Sequence, residues 1–548
     1  MKRIKKCMAV FLALMMITAA IPMEALAVVL EDIDWYDGYE YVDIVNLPDD
    51  QSASGTNEFC TWSYDAETST VYMDGVNIES TRDAYGAVRE IGENGRINYN
   101  FDRAPLPLYT IIDDGGVKRE QYCTFNFEHI ILGKSIKIFN SHISGVVYKK
   151  LKSVTFEEGS ALETVGTRAF AEFPLDELVL PDTVRTIGDY AFRVSEIKRF
   201  KIPAAVTEIP RGMFVRSKLE EIEIPKGVTT IGASAFEDTN ISELIIPESV
   251  TKIGSYAASG TLVSKIDLPD SFSYVPEGMF ENCKNVTSID FLGDSITEIK
   301  GAAFSGCEGI ISLYFTKTNI VAVGGFWGCA NLETVKLNEN TTYISGFGEC
   351  PKLKHIEFTD KIKEIGPSAF WMDENTTFSP LPASVENVGS NAFAYSGITE
   401  AVFGNPNVFI DTGAFKCCKK LTRVTLPESI TKISDFCFSE SALEEITIPK
   451  SVTNIGRYAF YGSAIKRINF SQGISLNYIN EYAFANCLNL TSLIIPEDTK
   501  TIYKYAFCDD INLTRVIFNE KSTRFTEYNP FCLSDDNSKT YLTEIIGE

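Results

Sequence analysis

Thiols and carboxylates are the groups in this chain with the most capacity for chemistry: thirteen cysteines and seventy-four Asp/Glu in 548 residues. A thiol acts as nucleophile, metal ligand or disulfide half, and its spacing and surroundings decide which. Cys283, Cys307, Cys329, Cys350, Cys418 and Cys487 each stand three positions after a phenylalanine. Ser195, Ser217, Thr239, Ser396, Ser441 and Ser463 occupy the same slot elsewhere. A slot shared by Cys, Ser and Thr calls for a small, weakly polar side chain facing an interior, and a free cysteine serves well there. Parallel side chains from neighbouring repeats are poorly aimed for a disulfide. Cys417 and Cys418 are adjacent, and no C-x-x-C pair is present to hold zinc or exchange electrons.

The other chemical signals are thinner. His129, His142 and His355 are far apart and form no H-E-x-x-H, and His355, beside Ile356-Glu-Phe358, reads as solvated. There is no G-x-S-x-G elbow, no G-x-x-x-x-G-K phosphate loop and no G-x-G-x-x-G. Gly324-Gly-Phe-Trp-Gly328 reads as a glycine-rich corner. Asp32, Asp34 and Asp37 near Gly38 resemble a calcium loop but lack its downstream Glu. No catalytic residue, metal ligand or cofactor is assigned, and an enzyme is not expected.

The cysteine register leads to the elements that impose it. Leu219-Glu-Glu-Ile-Glu-Ile-Pro-Lys-Gly-Val-Thr-Thr-Ile-Gly-Ala-Ser-Ala-Phe236 returns as Leu443-Glu-Glu-Ile-Thr-Ile-Pro-Lys-Ser-Val-Thr-Asn-Ile-Gly-Arg-Tyr-Ala-Phe460. The final Phe recurs every 21 to 24 residues from Phe170 to Phe531, with Ala258 in the one slot where it is missing. L-x-x-I-x-I alternates with the period of a half-buried strand. Pro181, Pro203, Pro225, Pro247, Pro269, Pro427, Pro449 and Pro496 then end it, since Pro cannot donate to a ladder. V-T-x-I-G is a second short alternation whose Gly suits a corner. One such coil cannot bury its own apolar residues, but stacked neighbours can. The expected fold is therefore a repeat solenoid of about 17 coils, roughly 80 Å long at ~4.8 Å per strand, with one long parallel sheet and a continuous Phe spine.

The repeat resembles the BspA-like class of bacterial leucine-rich repeats, with the pattern I-P-x-S-V-T-x-I-G-x-x-A-F-x-x-C-x-x-L. Ile246-Pro-Glu-Ser-Val-Thr-Lys-Ile-Gly254 and Ala483-Phe-Ala-Asn-Cys-Leu-Asn-Leu490 carry it. The resemblance extends over about residues 126–534. Coils around 305–380 fit less well, because Gly325-Phe326 and Gly346-Phe347 replace Ala-Phe and the I-P pair is lost; a local distortion is expected there.

Outside the repeat, residues 1–27 read as a bacterial export signal: Lys2, Arg3, Lys5 and Lys6, then apolar Met8 to Ile21, then Ala25-Leu-Ala27. No second long apolar run follows to form a transmembrane segment. Residues 28–125 read as an N-terminal β-rich cap or module, with a hairpin across Thr61–Asp65 and Ser69–Gly75. Residues 535–548 form a C-terminal tail in which Leu542-Thr-Glu-Ile-Ile546 begins another strand. The formal charge of −24 argues against nucleic acid, whose binders need a basic face.

Function is expected on the outward side of the L-x-x-I-x-I strands, where side chains vary while the apolar positions repeat. The candidate ligand-binding residues are Lys201, Glu223, Asp267, Asp290, Tyr314, Lys336 and Glu357, with Arg423 and Arg467 in the flanking column. Tyr314, near Trp327, is the candidate aromatic anchor. The resemblance implies a secreted or cell-surface adhesin that binds a protein or glycoprotein on host or bacterial surfaces. A structural protein that self-associates end to end is the alternative, and a hydrolase with its site in residues 28–125 is a third.

Overall fold

The computed structural model describes, side chains included, residues 62–75, 127–140 and 150–526 (apart from 291, 316–319 and 519–522) and residues 530–531. Further backbone strands are described within residues 45–124 and 532–547. The export signal, Asp32, Asp34, Asp37 and His142 lie outside the described residues.

Each coil is built on the alternation of its own sequence. In the coil from Leu443 to Phe460, the residues Leu443, Ile446, Ile448, Val452, Ile455, Ala459 and Phe460 are buried, while Glu444, Glu445 and Thr447 between them are exposed. Burying each large apolar side chain contributes about 1.5–3 kcal/mol, and here the covering surface is the next coil. Among the described residues the elements are strands and turns, with no helix.

Two rows of short parallel strands result. The V-T-x-I-G segments form the longer ladder, seven strands from Tyr274–Val275 to Phe409–Ile410 and five from Lys432–Ile433 to Arg524–Phe525. The L-x-x-I-x-I segments pair in pieces, such as Arg199–Lys201 with Glu221–Glu223 and Glu445–Ile448 with Arg467–Phe470. The single long sheet expected on this side is therefore a segmented row. Its longest run joins Ser312–Tyr314, Thr334–Lys336, His355–Ile356 and Thr377–Phe378. In the coils of Thr334–Lys336 and His355–Ile356 the strand-ending proline is replaced by Asn338 and Thr359. Coils 305–380 thus keep this ladder, and their departure from the repeat is confined to the corners at Gly324-Gly325 and Ser345-Gly346.

The Phe spine is continuous on either side of Ala258. Ring centroids are 5.1 to 6.4 Å apart from Phe170 to Phe236, and 4.9 to 6.1 Å apart from Phe280 to Phe531. That interval is close to the spacing of paired strands. Left-handed residues bracket the spine, as Tyr190 (φ 58°) and Val194 (φ 57°) do around Phe192. Such a conformation costs about 1–2 kcal/mol for an L-residue. It turns the N–H groups of Tyr190, Phe192 and Val194 toward the carbonyls of Arg211, Met213 and Val215 in the next coil, each at 2.9 Å, which offsets that cost.

At the N-terminal side, Thr61–Asp65 and Thr70–Asp74 form the expected antiparallel hairpin. Asp65 closes its turn by accepting from the Glu67 N–H (3.0 Å) and the Thr68 hydroxyl (2.7 Å). The second strand runs parallel to His129–Leu132, which pairs in turn with Ser153–Phe156, and Trp62, Tyr64, Val71 and Met73 are buried. Residues 49–107 group with 126–548; a separate compact unit contains Tyr109–Asp114 antiparallel to Val117–Thr124, with Val45–Asn46 beside the latter. Glu544–Gly547 pairs with Arg515–Phe518 as a further strand of the first row.

Candidate functional site

Alternation along the first row sends every second side chain away from the core. All nine candidate residues are exposed. Lys201 and Glu223 face each other across Arg199–Lys201 and Glu221–Glu223, and Tyr314 and Lys336 do the same in the next sheet of the row. Their electrostatic environments differ. Arg423 pairs with Glu400 at 3.5 Å, Arg467 with Glu445 at 3.6 Å and Asp267 with Lys265 at 4.0 Å. Asp290 donates its N–H to Ser288 Oγ at 3.4 Å. Lys201, Glu223, Lys336 and Glu357 form no ion pair among the described residues and present whole charges to solvent.

The sequence places Val179, Ile245 and Ile494 in the same outward column as Tyr314, although they are not among the candidate residues. Val179, Ile245 and Ile494 are 74%, 73% and 66% exposed, and Tyr314 is 52% exposed. The signal was available: each is a large apolar residue in an outward position of an alternating strand. Val179, Lys201 and Glu223, with Glu177, Arg199 and Glu221, line a groove of about 490 Å³ on this face. The pairing of Tyr314 with Trp327 is not formed. Trp327 follows the second-row strand Ala322–Val323, and it stacks on Trp371 with centroids 5.4 Å apart.

The cysteine slot lies inside the stack, as its register implies. Cys283, Cys307, Cys329, Cys350, Cys418 and Cys487 are buried free thiols. Cys307 donates Sγ–H to the Phe280 carbonyl (3.0 Å), Cys418 to Phe393 (3.0 Å) and Cys487 to Phe460 (3.2 Å), so each thiol reaches the marker Phe of the preceding coil. The hydroxyls of Thr239 and Ser441 instead bond within their own coils, to the carbonyls of Phe236 (2.9 Å) and Phe438 (2.8 Å). Burial pushes the Cys329 and Cys418 thiols up to about 12, far from the range of a nucleophile. His355 is exposed, with Nδ1 2.8 Å from Thr377 Oγ1. Among the described residues no group of three or more His, Cys, Asp or Glu is arranged to hold a metal ion, and no helix is long and apolar enough to cross a membrane.

Comparison with known proteins agrees with the coil geometry. The family model for the BspA type leucine rich repeat region matches residues 117–242, 207–325, 317–422 and 408–534, together about three-quarters of the chain. Among solved structures, a leucine-rich repeat protein from Bacteroides ovatus is 18% identical, with 88% of this chain and 90% of that one covered and a TM-score of 0.32. One from Eubacterium ventriosum is 20% identical, covering 64% and 96%, with a TM-score of 0.42. A leucine rich cell surface protein from Faecalibacterium prausnitzii is 18% identical, covering 68% and 94%, with a TM-score of 0.37. No curated protein sequence matches the chain. A coil of 21 to 24 residues with two parallel strand rows, a phenylalanine spine and an interior Cys/Ser/Thr slot, matched by one family model from residue 117 to residue 534, makes this chain a member of the BspA-type leucine-rich repeat family.

Proposed function

We propose that the protein is an exported surface protein that binds a protein or glycoprotein ligand through the outward column of the first strand row. One observation carries this reading: the three most exposed aliphatic side chains among the described residues, Val179, Ile245 and Ile494, all belong to that column. Leaving each in water forgoes about 1.5–3 kcal/mol of burial. The charges of Lys201, Glu223, Lys336 and Glu357 between them supply orientation, while the apolar residues supply contact area.

Residues 28–548 should bind saturably to at least one member of a panel of fibronectin, fibrinogen, collagen, mucin and cultured epithelial cells. The combined substitution Lys201→Glu, Tyr314→Glu and Lys336→Glu should weaken that binding at least tenfold while leaving the thermal transition in place. Binding unaffected by these changes would remove the strand face from consideration. A folded protein that binds nothing in the panel, yet self-associates with concentration in light scattering, would replace adhesion with a structural role.

A further inference from the structure

The corner between the second strand row and the marker Phe is shortened by two residues in two successive coils. Val323-Gly-Gly-Phe326 and Ile344-Ser-Gly-Phe347 stand where the flanking coils have Ile299-Lys-Gly-Ala-Ala-Phe304 and Ile365-Gly-Pro-Ser-Ala-Phe370. The spine does not register the loss, since Phe304, Phe326 and Phe347 remain stacked at 5.3 and 5.4 Å. The missing bulk is all on the outside, where it leaves a notch of about 670 Å³. Its floor must stay bare: a Cβ on Gly325 would lie 2.5 Å from the Lys300 carbonyl oxygen, and Gly325 has φ 82°.

The notch is acidic and aromatic. Glu277, Glu281 and Glu298 line it with Trp327 and Tyr343. None of the three glutamates forms an ion pair among the described residues. Lys300, the one cation in the lining, lies with its ammonium 3.6 Å above the Tyr274 ring. Burial, reinforced by Glu237 and Asp238, holds the Glu281 carboxyl above its usual range, so a cation placed beside it would favour its ionised form. A separate observation concerns the lining itself. Ser259 and Ser439, each one residue after the spine position, donate to the next coil's carbonyls at Glu281 (3.2 Å) and Tyr461 (3.3 Å). Ser305 occupies the equivalent position in the notch lining, is 7% exposed, and its hydroxyl has no partner.

We infer that this notch is a second binding site, on the side of the coil opposite in sequence to the L-x-x-I-x-I column, and that it takes the guanidinium or ammonium group of a basic protein segment. An organic cation fits the arrangement. It relieves unpaired carboxylates spread around a wide opening, which are not gathered closely enough for a metal ion. Trp327 and Tyr343 supply aromatic surface for it, and Ser305 supplies a buried hydrogen-bonding group. The inference shares with the proposed function only the premise that the ligand is a protein.

A fluorescent hexa-arginine peptide tests it by anisotropy on residues 28–548, with maltohexaose as the neutral competitor. Gly301→Phe is the decisive variant. A Cβ at Gly301 meets nothing within 4 Å, so the ring should fill the notch without disturbing the fold or the net charge. It should weaken peptide binding at least tenfold, as should Glu277→Gln, Glu281→Gln and Glu298→Gln combined, while maltohexaose does not compete. Lys201→Glu, Tyr314→Glu and Lys336→Glu combined should leave the notch able to bind, which separates this site from the strand face. Equal peptide binding by the Gly301→Phe and triple Gln variants, both folded by circular dichroism, would mean diffuse attraction to an acidic surface and overturn the site. Displacement by maltohexaose would overturn its cationic specificity.

Discussion

Single residues in the slot after each spine Phe show how finely the interior is tuned. Cys307, Cys418, Thr239 and Ser441 bond there to a Phe carbonyl, the buried hydroxyls of Ser195 and Ser217 have no partner, and Asp373 and Asp510 also occupy the slot, three residues after Phe370 and Phe507. Each places Oδ1 against the N–H of a cysteine in the preceding coil, Cys350 at 2.8 Å and Cys487 at 2.6 Å, and each leaves a buried Oδ2 without a partner. Burial raises the Asp373 carboxyl to about 8 and the Asp510 carboxyl well above its usual range. Asp373 is therefore protonated in the fold at neutral pH but ionised in the unfolded chain above about 4. The unfolded state then binds fewer protons than the native one, so this residue's contribution is complete below pH ~4 and is lost as pH rises toward 8. Asp373→Ser, which restores the common occupant, should raise the Tm at pH 8 by the equivalent of about 1–3 kcal/mol, with a smaller gain at pH 5. A pH series of thermal melts checks this; a gain independent of pH would mean that ionisation plays no part.

At the scale of the coil, stacking is the source of order. No coil could keep its Leu, Ile, Val and Phe from water alone, and the two strand rows with the left-handed corners supply the hydrogen bonds that let identical surfaces meet. Phe304 lies between Phe280 and Phe326, at 4.9 and 5.3 Å, and is fully buried. Phe304→Ala should cost about 3–5 kcal/mol, the range for a large buried aromatic. In a quasi-one-dimensional stack the damage should stay local, so hydrogen exchange should accelerate in the coils between residues 280 and 326 before distant ones. Uniform acceleration along the chain would instead indicate one cooperative unit. The same scale explains what was readable beforehand. Coil period, spine, the hairpin at Thr61–Asp65 and the last strand follow from local alternation. In coils 305–380 the local distortion expected from the replaced Ala-Phe and I-P pairs falls on the corners at Gly324-Gly325 and Ser345-Gly346, while the ladder and the spine continue past them.

Across the whole molecule, charge is organised by repulsion more than by pairing. Ion pairs link successive coils, as in Arg199–Glu221 at 3.3 Å and Lys466–Glu444 at 2.8 Å, but both partners are more than half exposed and such pairs contribute ~0–1 kcal/mol at most. Against them stands a net charge of −24, whose self-repulsion opposes the folded stack. The Tm should therefore rise modestly between about 0.02 and 0.5 M NaCl as that repulsion is screened. A fall over this range would show that the inter-coil pairs dominate.

The amino-acid sequence by itself determined the repeat, the family, the buried Cys/Ser/Thr slot and the outward column, because each depends on residues a few positions apart in a coil of regular length. Only the stacked structure decided which charges of that column are already paired, and that Trp327 lies in the corner after a second-row strand, apart from the first-row Tyr314. It also decided that two shortened corners line up as one acidic notch. Those properties arise between residues some 22 positions apart, where a deletion of two residues has no local signature until successive coils lie side by side.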